Sequence, residues 1–215
     1  NEIKNDKIRI TKKIFLNISS DTPEKISELI SVGIKKFAIS LKDLKPDLLL
    51  VLGDRYEIFS LVTAAHVMGI QIAHLHGGET TEAALDEAFR HSITKMSDLH
   101  FVANTIYRKR VIQLGENKKN IFLVGGLSVD QIDVKNLYTR SEIENKLKIK
   151  LHKSNLLITY HPETIKQKKT NNNIVPLLDS LKKLKDKNLI FTIPNSDTFN
   201  QKIYNQIKTF VRKYK

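Results

Sequence analysis

Short apolar runs, bounded by Gly, Asp, Asn or Pro and separated by longer amphipathic stretches, are the feature that most restricts how this chain can fold. Seven of them read as strands, at residues 13–18, 48–52, 71–75, 99–103, 121–124, 156–160 and 189–193. Each has strand length and lies between turn formers, and helical periodicity fills the intervals. The clearest helix is 23–44, where Thr22 can cap, Pro23 takes the first helical position, and Ile26, Leu29, Ile30, Ile34, Phe37 and Leu41 form one stripe. Gly33 is its weak point. Strand runs that are continuously apolar, not alternating, predict burial on both faces, as in a parallel sheet covered by helices. The expected class is α/β, doubly wound.

Charge balance shifts along the chain. Residues 1–110 hold 16 basic and 14 acidic side chains, whereas residues 111–215 hold 20 and 9, so nearly all of the net +13 lies in the second half. A basic half suits a polyanion or a nucleotide diphosphate. However, 29 of the 36 cations of the whole chain are Lys, the second half is also rich in Asn and Ile, and no Trp or aromatic-interleaved basic run offers a base-stacking surface. Solvated helix faces explain the excess, and no nucleic-acid partner is expected. No apolar run approaches the ~20 residues of a membrane helix, so no membrane partner is expected either. With no Cys and no apolar N-terminal segment, the expected location is cytoplasmic. The composition shift near Gly125-Gly126 divides the chain into two α/β units, 1–130 and 131–215, the second short for a complete doubly wound domain.

In open parallel sheets ligands bind beyond the carboxyl ends of the strands. Those ends carry Gly53-Asp54-Arg55, then His74-Leu75-His76-Gly77-Gly78-Glu79, then Tyr160-His161-Pro162-Glu163, with Asp86, Glu87, Arg90 and His91 following on a helix. The four-residue spacings Asp86 to Arg90 and Glu87 to His91 put each pair on one helical face. Asp54 can cap the helix that follows it or act on a substrate. His74 and His76, two apart near a strand end, can be combined with Glu79 or Asp86 into a metal site. The chain lacks HExxH, Cys and a regularly spaced third His, so no metal is expected. His66 and His100 read as structural and His152 as surface, whereas His161 ends an apolar strand at the carboxyl edge of the second unit. There is neither a Ser nucleophile elbow nor a Cys, which leaves carboxylates with His and thus proton transfer.

Taken together, the runs Lys45-Pro46-Asp47 through Gly53-Asp54-Arg55-Tyr56-Glu57, Ala73-His74-Leu75-His76-Gly77-Gly78-Glu79 and Leu85-Asp86-Glu87-Ala88-Phe89-Arg90-His91-Ser92-Ile93-Thr94-Lys95 resemble the UDP-N-acetylglucosamine 2-epimerases. The likeness is to the hydrolysing branch, which makes N-acetylmannosamine for sialic acid synthesis in bacteria. It extends through Val111–Glu116, Gly125–Asp130, Ile158–Glu163 and Pro194-Asn195-Ser196-Asp197, over about residues 40–200.

The resemblance implies a glycosyltransferase-B-like pair of Rossmann-like units, both incomplete here, with a nucleotide-sugar substrate, no cofactor and a homodimer. It implies elimination of UDP by removal of the C2 proton, followed by hydration of the resulting 2-acetamidoglucal. Asp54, Asp86 and His161 match family catalytic positions, and Arg55, Arg90 and His91 fall at substrate-binding positions. Many relatives have Glu where this chain has His76, so the resemblance leaves the acid/base role there to His76 or Glu79. A related epimerase acting on a diacetamido-trideoxy sugar nucleotide of the legionaminic acid route, a non-catalytic remnant of such an enzyme, and a metal-dependent hydrolase using His74, His76 and Asp86 are the alternatives.

Overall fold

The structure is a computed structural model that describes residues 2–17, 22–82, 84–130, 132, 137–161, 174–193 and 200–214. Ile18, Pro162-Glu163 and Pro194-Asn195-Ser196-Asp197 of the sequence reading lie outside the described residues. The chain divides into two compact units, Asn1–Gly126 and Leu127–Lys215.

In the first unit a short helix α1 (Glu2–Asn5) precedes α2 (Pro23–Leu44), after which strands and helices alternate as β1 (Leu48–Leu52), α3 (Tyr56–Val67), β2 (Gln71–Leu75), α4 (Leu85–Met96), β3 (Leu99–Val102), α5 (Thr105–Gln113) and β4 (Ile121–Leu123). α2 has the ends its sequence foretells. The Thr22 hydroxyl accepts from the Lys25 amide, Pro23 opens the first turn, and Lys45 closes the helix in a left-handed conformation. Gly33 is buried at the crossing with α3, where a Cβ would stand 3.0 Å from both Cβ and Oγ of Ser60. The residue that weakens the helix locally is therefore the one that lets the two backbones approach.

The sheet is entirely parallel, in the order β1-β2-β3-β4. Val51, His74, His100 and Ile121 form one register row across it, and they face the helices. On that side Val51 and Ile72 pack with Leu41 of α2, Val62, Ala64 and Ala65 of α3, and Ile93 of α4, while Val102 and Ile121 pack with Val111 of α5. Burying each of the Val, Leu and Ile side chains contributes roughly 1.5–3 kcal/mol.

Two sequence expectations are corrected here. The apolar run of β1 is not buried on both faces: Leu50 is 63% and Leu52 55% exposed, whereas Val51 is 4%. The cause is that the core clusters of this unit form on the Val51 side. Further along the opposite side Ala73 is still buried and Phe101 stacks on Phe122 at 5.2 Å. Nor are residues 13–17 a strand. Their chain lies against α2, with Leu16 beside Ile26 and Leu29 and with the Phe15 carbonyl accepting from Lys36 Nζ, so a side chain takes the place of a neighbouring strand.

The second unit comprises α6 (Leu127–Asp130), α7 (Arg140–Leu147), β5 (Asn155–Ile158), α8 (Val175–Leu181), β6 (Asn188–Phe191) and α9 (Asn200–Lys213). Thr139 and Glu142 form a reciprocal capping box at the start of α7. β5 and β6 pair in parallel, with Leu156 beside Leu189. Its core joins Leu178 and Leu181 of α8 to Ile203, Ile207 and Phe210 of α9 against Leu156, Ile158, Leu189 and Phe191 of the strands.

Candidate active site

The carboxyl ends of β1 and β2 in the first unit converge on one guanidinium. Asp54 follows β1, but it does not cap α3: the capping position is Arg55, which makes no side-chain cap bond. The Asp54 carboxylate instead accepts from Arg90 Nη2, which comes from α4, 36 residues further on. Arg90 is only 6% exposed. Three further donors are used by Glu87 Oε2 at 3.0 Å, the Glu79 carbonyl at 3.1 Å and Thr81 Oγ1 at 3.0 Å. A buried cation is tolerated only when paired and hydrogen-bonded, and two carboxylates, a carbonyl and a hydroxyl take the four N–H groups of Nη1 and Nη2 here. One side chain thereby ties the end of β1, the loop after β2 and the first turns of α4 together.

Glu87 is the hinge of this network. Burial pushes its carboxyl up, but the Thr81 amide, His91 and Arg90 outweigh that and hold it below the ordinary carboxylate value. His91 reaches Glu87 Oε1 with Nε2 at 3.1 Å. It also lines a cavity of about 410 Å³ with Phe59, Ser92, Lys95 and Met96, so it borders the cluster through Glu87.

The loop after β2 holds two histidines in different states. His74 is fully buried, and its Nε2 donates to the Gly53 carbonyl at 3.0 Å. Burial pushes its pKa down to about 4, so the ring is neutral near pH 7 and its Nδ1 accepts from the Thr94 hydroxyl at 3.2 Å. Through the Gly53 bond His74 fixes the turn that presents Asp54. His76 stands one pleat on, with φ at 63°, a left-handed conformation costly for a residue with a Cβ. Its amide donates to the Phe101 carbonyl and its Nδ1 lies 2.7 Å from Glu79 Oε1. The turn closes at Gly78, where φ is 79° and a Cβ would stand 2.5 Å from the Tyr107 carbonyl, and the Gly78 carbonyl itself accepts from Arg110.

The remaining candidates are distributed more widely. Arg55 is engaged by Glu57, with Nε 3.2 Å from Oε2, and lies over the Tyr56 ring. Asp86 is half-buried in the first turn of α4, and the α4 carboxylate that accepts from Arg90 is that of Glu87. His161 lies beyond the carboxyl end of β5 in the second unit and is exposed. His74, His76 and Asp86 do not gather as ligands, and among the described residues no three His, Asp or Glu side chains are placed to hold a metal ion. Among the same residues no helix is long and apolar enough to cross a membrane. Thr81 and Arg110 were not legible as site residues, because nothing in their local sequence signals a bond to a loop or helix elsewhere in the chain. Glu87 was legible only as a partner for His91.

The fold and the cluster define an α/β protein with a carboxylate, guanidinium and imidazole site at the carboxyl edge of a parallel sheet. The family model for UDP-N-acetylglucosamine 2-epimerases matches residues 1–215, and the chain belongs to that family. It is 43% identical over 189 residues to a GDP/UDP-N,N'-diacetylbacillosamine 2-epimerase (hydrolyzing) of Campylobacter jejuni, covering 88% of this chain and 49% of the relative. It is 37% identical over 214 residues to polysialic acid biosynthesis protein P7 of Escherichia coli, covering 99% of this chain and 54% of that protein. The crystal structure of UDP-GlcNAc 2-epimerase from Neisseria meningitidis bound to UDP-GlcNAc superposes with a TM-score of 0.77 at 16% identity, over 99% of this chain and 58% of that one. The fold is thus of the glycosyltransferase-B-like α/β class. The chain spans about half the length of the curated relatives it matches.

Proposed function

We propose that this chain is part of a hydrolysing UDP-sugar 2-epimerase that converts UDP-N-acetylglucosamine and water to N-acetylmannosamine and UDP. The observation that carries the reading is the Asp54–Arg90 pair with Glu79, Thr81 and Glu87 around it, at the strand ends where α/β enzymes bind ligands, in a chain of this family. Elimination needs a base at the C2 proton and cations where negative charge builds on the departing diphosphate. Asp54, Glu79, His76 and Asp86 supply the bases, and Arg90 with Arg55 the cations. His91 and His161 are assigned by resemblance, one to substrate binding and one to catalysis. A homodimer and a cytoplasmic location complete the proposal.

The test is proton NMR in heavy water with the full-length polypeptide that carries this sequence. Release of UDP together with N-acetylmannosamine deuterated at C2 is the expected result. The relative that is 43% identical is a GDP/UDP-N,N'-diacetylbacillosamine 2-epimerase (hydrolyzing), so UDP-N,N'-diacetylbacillosamine, a diacetamido-trideoxy sugar nucleotide, enters the same assay as competitor. Release of UDP from neither sugar nucleotide overturns the reading. Asp54→Asn, which keeps shape but removes the charge, is expected to cut kcat by about 10²-fold or more with the fold intact, as read by turnover and circular dichroism. Near-normal turnover would leave Asp54 a merely structural partner of Arg90.

A further inference from the structure

We infer that Arg110 is a positioning residue for the proposed reaction: from α5 it grips the Gly78 carbonyl and so sets the place of the loop that carries His76, Glu79 and Thr81. The grip itself stands on geometry, and its kinetic consequence rests on the function proposed above.

Three observations converge. The first is where the loop runs. Its two glycines are buried between α4 and α5: a Cβ on Gly77 would stand 3.0 Å from Thr94 Oγ1 and 3.1 Å from His74 Nδ1. One on Gly78 would stand 2.5 Å from the Tyr107 carbonyl and 2.8 Å from Val111 Cγ2. With no side chains of its own at 77 and 78, the stretch is held through its backbone. The second observation is what holds it. Two consecutive carbonyls are taken by arginines of two different helices, Gly78 by Arg110 Nη1 of α5 and Glu79 by Arg90 Nη1 of α4 at 3.1 Å. A bond from a guanidinium is stronger than one between neutral groups, and this donor keeps its charge at any ordinary pH. The third is what else Arg110 meets. It is half-buried, its guanidinium lies over the Tyr107 ring at 5.9 Å, and among the described residues it forms no ion pair with a carboxylate. Arg55 and Arg90, by contrast, are each paired with a carboxylate. The charge of Arg110 is thus directed at the loop backbone.

The Glu79 carbonyl is one of the four acceptors that fix the Arg90 guanidinium, and Arg90 in turn meets Asp54. Arg110 therefore reaches the Asp54–Arg90 pair through one residue of backbone, without being a partner of either side chain. Releasing the Gly78 carbonyl lets the loop shift, and a displacement of about 1 Å at a site can cost about 10²-fold in rate.

The test has one arm that needs no substrate. Two amides pin the loop on either side of the grip, His76 on the Phe101 carbonyl at 2.9 Å and Thr81 on Glu87 Oε2 at 2.5 Å. In the full-length polypeptide, Arg110→Met should speed hydrogen exchange of both amides by about tenfold, the effect of losing one charge-assisted bond. The Asp98 amide, bonded to the Ile72 carbonyl near the amino end of β2, should exchange as in the wild type. The second arm is kinetic. Arg110→Met should lower kcat on UDP-N-acetylglucosamine by about tenfold or more, with KM within about threefold and the unfolding midpoint within about 3 °C of wild type. Arg110→Lys keeps a charged donor, and a single bond needs no fork, so its kcat should stay within about threefold of wild type. Unchanged exchange at His76 and Thr81, or Arg110→Met turning over within about threefold of wild type, overturns the positioning role. So does Arg110→Lys performing no better than Arg110→Met, or a larger fall in midpoint, which would make Arg110 a residue of general stability. If neither sugar nucleotide releases UDP from the wild type, the function proposed above fails, and the exchange arm alone then decides whether Arg110 holds the loop.

Discussion

His74 shows how one buried residue can shape both a site and a pH response. Its ring is fully buried, and burial lowers its pKa from 6.5 to about 4. The unfolded chain therefore binds a proton at this group below about pH 6.5 that the folded protein does not bind until about pH 4. Stability from His74 is complete above that window, is lost as the pH falls through it, and changes no further below it. A gap this wide corresponds to about 3 kcal/mol. His100, which burial also pushes down, titrates in the same direction. Urea unfolding between pH 7 and pH 4 is expected to show this fall, and His74→Gln should flatten it by the share of His74 while leaving that of His100. An unchanged pH dependence in the variant would assign the effect elsewhere. Thr94→Val removes the hydroxyl that caps Nδ1 of the same ring and should cost about 1–3 kcal/mol, read from the same transition.

At the scale of elements, the crossing of α2 on α3 reverses an ordinary helix rule. Alanine stabilises an exposed helix interior by roughly 1 kcal/mol over glycine. At Gly33 the new Cβ would meet Ser60 at 3.0 Å, and the contacting atoms include the Ser60 Cβ, which cannot turn away. Gly33→Ala is therefore expected to destabilise by about 1–3 kcal/mol in chemical denaturation. Adding Ser60→Gly should recover part of that loss, and a stabilised single variant would show that the crossing is looser than described. The elements themselves were largely legible in the sequence. The expected runs 48–52 and 71–75 coincide with β1 and β2, and the expected helix 23–44 with α2, because turn formers, a cap and a helical stripe are local signals. The run at 13–17 misled because a strand is defined by its neighbour, and the partner its backbone finds is Lys36 of α2. Burial of β1 misled for the same reason: five apolar residues in a row say nothing about which side the helices will cover.

For the whole molecule, the net charge of +13 bears on encounter with substrate more than on fold. A UDP-sugar carries two negative charges on its diphosphate, so the proposed activity should be sensitive to ionic strength through binding. KM for UDP-N-acetylglucosamine is expected to rise severalfold between about 50 and 300 mM salt while kcat holds, since screening weakens long-range attraction but not contacts inside a closed site. A salt-independent KM would indicate that the cations in the second half are distant from the path of the substrate.

The sequence by itself determined the α/β class, the boundaries of most strands and helices, and the short polar segments worth inspecting, because hydrophobic period, caps and turn chemistry act over a few residues. Family likeness added which of those segments belong to one site. Only the tertiary structure decided that Asp54 meets Arg90 across 36 residues and does not cap α3, that Glu87 joins them, and that His76 is held against Glu79 in a left-handed turn. These are choices among several carboxylates and cations of equal local merit. They are made by which loops the parallel sheet brings together and by the cost of leaving a buried guanidinium or imidazole unpaired.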